Sequence, residues 1–94
     1  MREAEFQRTV QQAAGYLGWY VVHFPNMISN PAGWPDLLLM KNGKVLLLEL
    51  KGEKGRLGPR QAECHERLRA AGMHIEVVRP SDWDRLEALL KGVA

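Results

Sequence analysis

Asp36, Glu49 and Lys51 are charged residues set at the ends of leucine-rich runs. Between Asp36 and Glu49 lies Asn42-Gly43, and both of these residues tolerate the positive φ that a two-residue type I′ hairpin turn requires. With that pair as the loop, Lys41 faces Lys44, Met40 faces Val45 and Leu38 faces Leu47. Asp36 then falls opposite Glu49, with Cβ atoms about 4.5–5.5 Å apart. Strand side chains alternate, so Glu49 and Lys51 share the face of Asp36 while Leu48 and Leu50 point the other way. Two carboxylates side by side repel unless something positive sits between them, and a divalent cation with oxygen ligands is the usual solution. The Lys51 ammonium would then orient a water. An ordinary salt bridge at a strand end is the competing account. Three features weigh against it: leucine surroundings in which unpaired charge is costly, the stiff entry that Pro35 gives to Asp36, and a glycine-rich basic stretch, Gly52-Glu53-Lys54-Gly55-Arg56-Leu57-Gly58, that suits a polyanionic partner.

The elements that must hold these residues follow from periodicity. Phe6, Val10, Ala13, Ala14 and Leu17 recur at helical spacing, which predicts a helix over 2–17 ended by Gly18. At about 100° per residue, Glu3 lies near the centre of that stripe and Glu5 well away from it, so Glu3 is expected to face inward. Residues 19–24 are aromatic and β-branched and predict a strand that Pro25 stops. The loop 26–32 contains the apolar Met27 and Ile28, which either cover the core or meet a partner. Pro59 fits the first position of a second helix. Gln61, Cys64, Leu68 and Ala71 are its expected buried stripe, aimed at the sheet end of Asp36 and Glu49. There the Gln61 amide would hold a phosphate oxygen or a water, or else cap the helix. Gly72 closes this helix, 75–78 is a strand, and Ser81-x-x-Asp84 starts a last helix through about Lys91. A strand, helix, strand succession favours a right-handed crossover, so strand 75–78 should run parallel to 44–51. The order αβββαβα predicts an α/β fold, a mixed sheet flanked by helices.

Ninety-four residues make one domain, 1–94, near the lower end of single-core size, and dimerisation would help its stability. Thirteen basic and eleven acidic residues leave +2, too little to establish nucleic-acid binding, but Lys54, Arg56 and Arg60 cluster beside the carboxylates. Arg67 and Arg69 fit a solvated helix face equally well. The one cysteine, Cys64, excludes an internal disulfide and reads as a small apolar residue. The three histidines, His23 among them, lack zinc spacing with each other or with Cys64. A polar amino terminus excludes a secretory signal, and no apolar run is long enough to span a bilayer, so a cytoplasmic protein is expected.

Pro35-Asp36, Glu49-Leu50-Lys51 and Gln61, with Gly33 before the Pro-Asp pair, resemble the PD-(D/E)XK nuclease signature in the form found in stand-alone VRR-NUC domains. The likeness covers nearly the whole chain. It departs just before Gly33, where Asn30-Pro31-Ala32 supplies no basic residue. The resemblance implies a restriction-endonuclease-like αβββαβ(α) core and a Mg²⁺- or Mn²⁺-dependent endodeoxyribonuclease. Asp36, Glu49, the Leu50 carbonyl and Glu3, an extra acid from the first helix, would hold the metal. Lys51 and Gln61 would assist catalysis, while Lys54, Arg56, Arg60 and Gln7 would meet DNA. The products would carry 5′-phosphate and 3′-hydroxyl ends. Stand-alone members resemble Holliday-junction resolvases, which implies a homodimer acting on branched DNA in the cytoplasm of a bacterial or phage-infected cell. A flap or restriction-like nuclease is the rival within the enzyme class. A non-catalytic DNA-binding or interaction module is the rival outside it, although Asp36, Glu49 and Lys51 are all present.

Overall fold

Phe6, Val10 and Ala14 are the buried stripe of the first helix, α1 (Glu3–Tyr16), in the computed structural model, which describes residues 2–25 and 32–92. Gly18, at φ +92°, releases the chain from α1 through a conformation that L side chains rarely adopt. Strand β1 (Tyr20–His23) follows, then the hairpin of β2 (Leu37–Lys41) and β3 (Lys44–Leu50). Asn42 and Gly43 have φ of +49° and +76°, the left-handed pair that a type I′ turn needs. Helix α2 (Pro59–Ala70), strand β4 (His74–Val78), a 3₁₀ turn (Pro80–Asp82) and helix α3 (Trp83–Lys91) complete the order.

The sheet runs β1-β2-β3-β4, antiparallel except for the parallel β3–β4 pair. Lys41 faces Lys44, Met40 faces Val45 and Leu38 faces Leu47, so the turn sets the register. One face, carrying Leu37, Leu39, Leu46, Leu48, Leu50 and Val78, packs with α1 and with Leu86 and Leu90 of α3. Alternation sends Leu47 and Glu49 to the other face, where α2 lies. Burying a leucine side chain contributes about 1.5–3 kcal/mol. The five fully buried leucines of β2 and β3 therefore outweigh the cost of enclosing one carboxyl among them.

Three local expectations change. Trp19 is not a strand residue; its ring enters the core and its Nε1 donates to the Leu90 carbonyl at 2.9 Å, tying the start of β1 to α3. Ser81 does not cap the last helix, because its hydroxyl and its amide both donate to the Glu53 carboxylate, at 2.8 and 2.6 Å. The buried position of α2 is His65, whereas Cys64 and Leu68 are half-buried and Ala71 is exposed. Gln61, His65 and Leu68 form the inward line, and a helix this polar gave few apolar residues from which to read its phase.

Candidate active site

One step past the Leu37–Leu48 pair, Asp36 stands opposite Glu49 at the end of the sheet. Main-chain bonds fix Asp36 there. Its amide donates to the Leu48 carbonyl at 3.1 Å, its carbonyl accepts from Phe24 at 2.9 Å, and its Oδ2 accepts from the Leu50 amide at 2.7 Å. The entry to Asp36 is equally constrained. Pro35 is fully buried, and Gly33, at φ +83°, lies so close to α2 that a Cβ there would sit 2.3 Å from the Arg60 carbonyl oxygen. Gly33 thus locks the strand carrying Asp36 to the start of α2.

Glu49 is 2% exposed. Burial, together with a hydrogen bond to the Asp36 side chain and the charge of Asp36, pushes its carboxyl up to about 8. The Lys51 ammonium opposes that rise and Glu3 adds to it. A third group completes the cluster: His65 Nε2 lies 3.1 Å from Glu49 Oε1. Burial, with the charges of Arg69 and Lys51, holds the His65 ring below the ordinary imidazole value, against the pull of Asp36. His65 is absent from the residues picked out by sequence. The signal that could have found it is its spacing of four from Gln61 and three from Leu68 on one helical face.

The other expected residues are placed as follows. Gln61 Oε1 accepts from the Gly58 amide at 2.9 Å and so caps α2, the alternative allowed by its position. With that oxygen engaged, its amide N–H groups remain as donors. Leu50 ends β3 at the carboxylate end, and its side chain is wholly buried. Glu3 is corrected: it is exposed rather than inward, because it occupies the first position of α1, a turn before the packed stripe begins at Phe6. It acts on Glu49 through its charge. Gln7 Nε2 lies 2.7 Å from His23 Nε2 and ties α1 to β1. Trp34 packs edge-on against Phe24, with ring centroids 5.7 Å apart, so it is engaged within the chain rather than offered to a partner. Met27, Ile28 and Asn30-Pro31 lie outside the described residues. Cys64 has its thiol pushed up by burial and by the charge of Glu49, as an unreactive packing residue would.

The loop after Lys51 is stapled rather than loose. Glu53 takes both bonds from Ser81, and Arg79 donates to the Gly55 carbonyl at 2.6 Å. Arg79 is thereby committed to structure, while Lys54, Arg56 and Arg60 are exposed.

Among the described residues, no three His, Cys, Asp or Glu side chains converge in a metal-holding group. The Asp36–Glu49 pair nonetheless suits a hard divalent cation. It offers oxygen donors, and the charge of Asp36 that helps to raise the Glu49 carboxyl is a repulsion that a cation would relieve. Among the described residues, no helix is long and apolar enough to cross a membrane.

Comparison with known proteins identifies the family and the fold. The family model described as the VRR-NUC domain matches residues 11–82. A solved structure described as a VRR_NUC domain is 25% identical, covers 98% of this chain and 97% of its own, and superposes with a TM-score of 0.75. No curated protein sequence matches the chain. The match runs from the later part of α1 through the 3₁₀ turn and so takes in Gly33, the Asp36–Glu49 pair and Lys51. With its restriction-endonuclease-like mixed sheet, the chain belongs to the VRR-NUC domain family and carries that family's nuclease fold.

Proposed function

We propose that the chain is a Mg²⁺- or Mn²⁺-dependent endodeoxyribonuclease that cuts branched DNA, such as a four-way junction. The observation that carries this reading is Asp36 standing opposite the buried Glu49 beside Lys51, with exposed Lys54 and Arg56 in the loop that follows and Arg60 at the start of α2. Asp36, Glu49 and the Leu50 carbonyl would hold the cation. When bound, such an ion polarises a phosphate oxygen and acidifies a water. Lys51 orients the attacking water and offsets the negative charge that grows on the phosphate. The Gln61 amide N–H groups donate to a neighbouring phosphate oxygen. Lys54, Arg56 and Arg60 take the backbone on either side, and the stapled loop keeps the first two in register with the carboxylates. Cleavage of the P–O3′ bond leaves a 3′-hydroxyl and a 5′-phosphate.

A net charge of +2 gives one copy a weak hold on DNA, and a homodimer doubles the phosphate contacts. Tyr20, Met40 and Val45 supply a surface for it. They are cross-strand neighbours and are 65%, 40% and 37% exposed. The test is incubation of labelled junction, flap, duplex and single-stranded DNA with Mg²⁺, Mn²⁺ or EDTA, for the wild type and Asp36→Asn, alongside light scattering. Metal-dependent junction cutting by a dimer, lost in the variant, is the expected result. Preference for duplex would favour a restriction-like enzyme, and preference for flaps a flap nuclease. Tight binding without cleavage would favour a non-catalytic module.

A further inference from the structure

We propose that His65 is a positioning residue that fixes the Glu49 carboxylate for cation binding, an inference that rests on reading Asp36 and Glu49 as the metal-holding pair. The argument begins with packing. His65 is the buried residue of α2, with no exposed surface. A leucine or methionine would fill that space without burying two polar nitrogens, and an imidazole taken out of water is costly unless hydrogen-bonded. Among the described residues Nδ1 has no partner, so the compensation comes from the 3.1 Å contact of Nε2 with Glu49 Oε1. Stability alone does not explain a histidine here. Its contact with Glu49 does.

The chemistry of that contact fixes direction and tautomer. Once Glu49 is a carboxylate, as it must be to hold a cation, it only accepts, so in that state Nε2 carries the hydrogen and donates it, leaving Nδ1 as the bare nitrogen. A bare acceptor is also the less costly group to leave without a partner. The bond to Oε1 holds the carboxyl plane from the α2 side, while Asp36 meets Glu49 across the hairpin. Glu49 is thus oriented before any cation arrives. Groups that orient a ligand in this way are worth about 10–100-fold in metal affinity.

The test separates the hydrogen bond from the shape of the ring. His65→Gln can place an amide N–H where Nε2 lies, His65→Asn places one near Nδ1 instead, and His65→Leu removes the donor. Mn²⁺ affinity is measured by calorimetry, with circular dichroism melting to confirm folding and Asp36→Asn as the reference. The expected result is a loss of about 10–100-fold for Leu and Asn, with most of the affinity regained by Gln. If the leucine variant fails to fold, the Gln–Asn contrast decides. Wild-type affinity in a folded leucine variant would overturn the proposal, as would a glutamine variant no better than asparagine. If Asp36→Asn binds Mn²⁺ as the wild type does, the metal-pair reading itself fails and takes the inference with it.

Discussion

Replacing Gly33 by alanine separates two costs that one glycine avoids. The first is conformational: an L residue at φ +83° is held in the left-handed region, at about 1–2 kcal/mol. The second is steric. The new Cβ would meet Arg60 O at 2.3 Å, Arg60 C at 2.5 Å and Gln61 N at 2.7 Å, all backbone atoms that cannot rotate aside. Such overpacking adds about 1–3 kcal/mol. Gly43 is the control, because at φ +76° it bears the first cost but has nothing within 4 Å of a built Cβ. Gly43→Ala should therefore lose about 1–2 kcal/mol, which in a domain of this size lowers Tm by roughly 5–10 °C. Gly33→Ala should lose about 2–5 kcal/mol. Urea titration of both variants at one temperature measures the difference. The relaxation that admits the Cβ must move the start of α2 away from Asp36, so Gly33→Ala should also cut DNA more slowly under conditions where both variants are folded. Equal destabilisation by the two substitutions would refute the close approach of Gly33 to α2.

Glu49 gives a pH prediction for the metal-free protein. Its carboxyl, raised from the ordinary value to about 8, binds in the folded state a proton that the unfolded chain releases. That stabilisation is whole below the unfolded value and is lost as pH rises toward 8. Melting temperature in EDTA should fall across that window, and Glu49→Gln should flatten the fall; a parallel decline in both proteins would remove Glu49 as its source. Exposed Glu3 acts on Glu49 only by charge, which salt screens, so Glu3→Gln should slow cleavage far less than Asp36→Asn does and Glu5→Gln not at all. A loss as complete as that of Asp36→Asn would make Glu3 a metal ligand. Glu53→Gln weakens the Ser81 staple and should raise hydrogen exchange in residues 52–58 while the sheet stays protected; unchanged exchange would show that the staple does not hold the loop.

The hairpin was legible from residue types alone, because Asn42-Gly43 admits one register and that register puts Asp36 against Glu49. The parallel β4 was legible from the crossover rule. What escaped the sequence were side chains whose partners lie far along the chain. The Glu53–Ser81 bonds join residues 28 apart, and no local pattern announces them. His65 was hidden because α2 has too few apolar residues to define its phase. Glu3 was read as inward from helical phase, yet phase says nothing of where along α1 the packed stripe begins, and Glu3 precedes it. Gly33 was visible as part of a motif, but the contact that demands a glycine there needed the position of α2.

The 42–43 turn has a practical consequence. Asp36 and Asn42 flank the two ends of β2, and the six residue steps between them span roughly 20 Å. The turn is exposed and Gly43 has open space around it. A foreign sequence grafted between Asn42 and Gly43 would thus project from the end of the sheet remote from the carboxylates. On the proposed nuclease reading, a DNA-reading module inserted there would add an address of its own without altering any residue of the site.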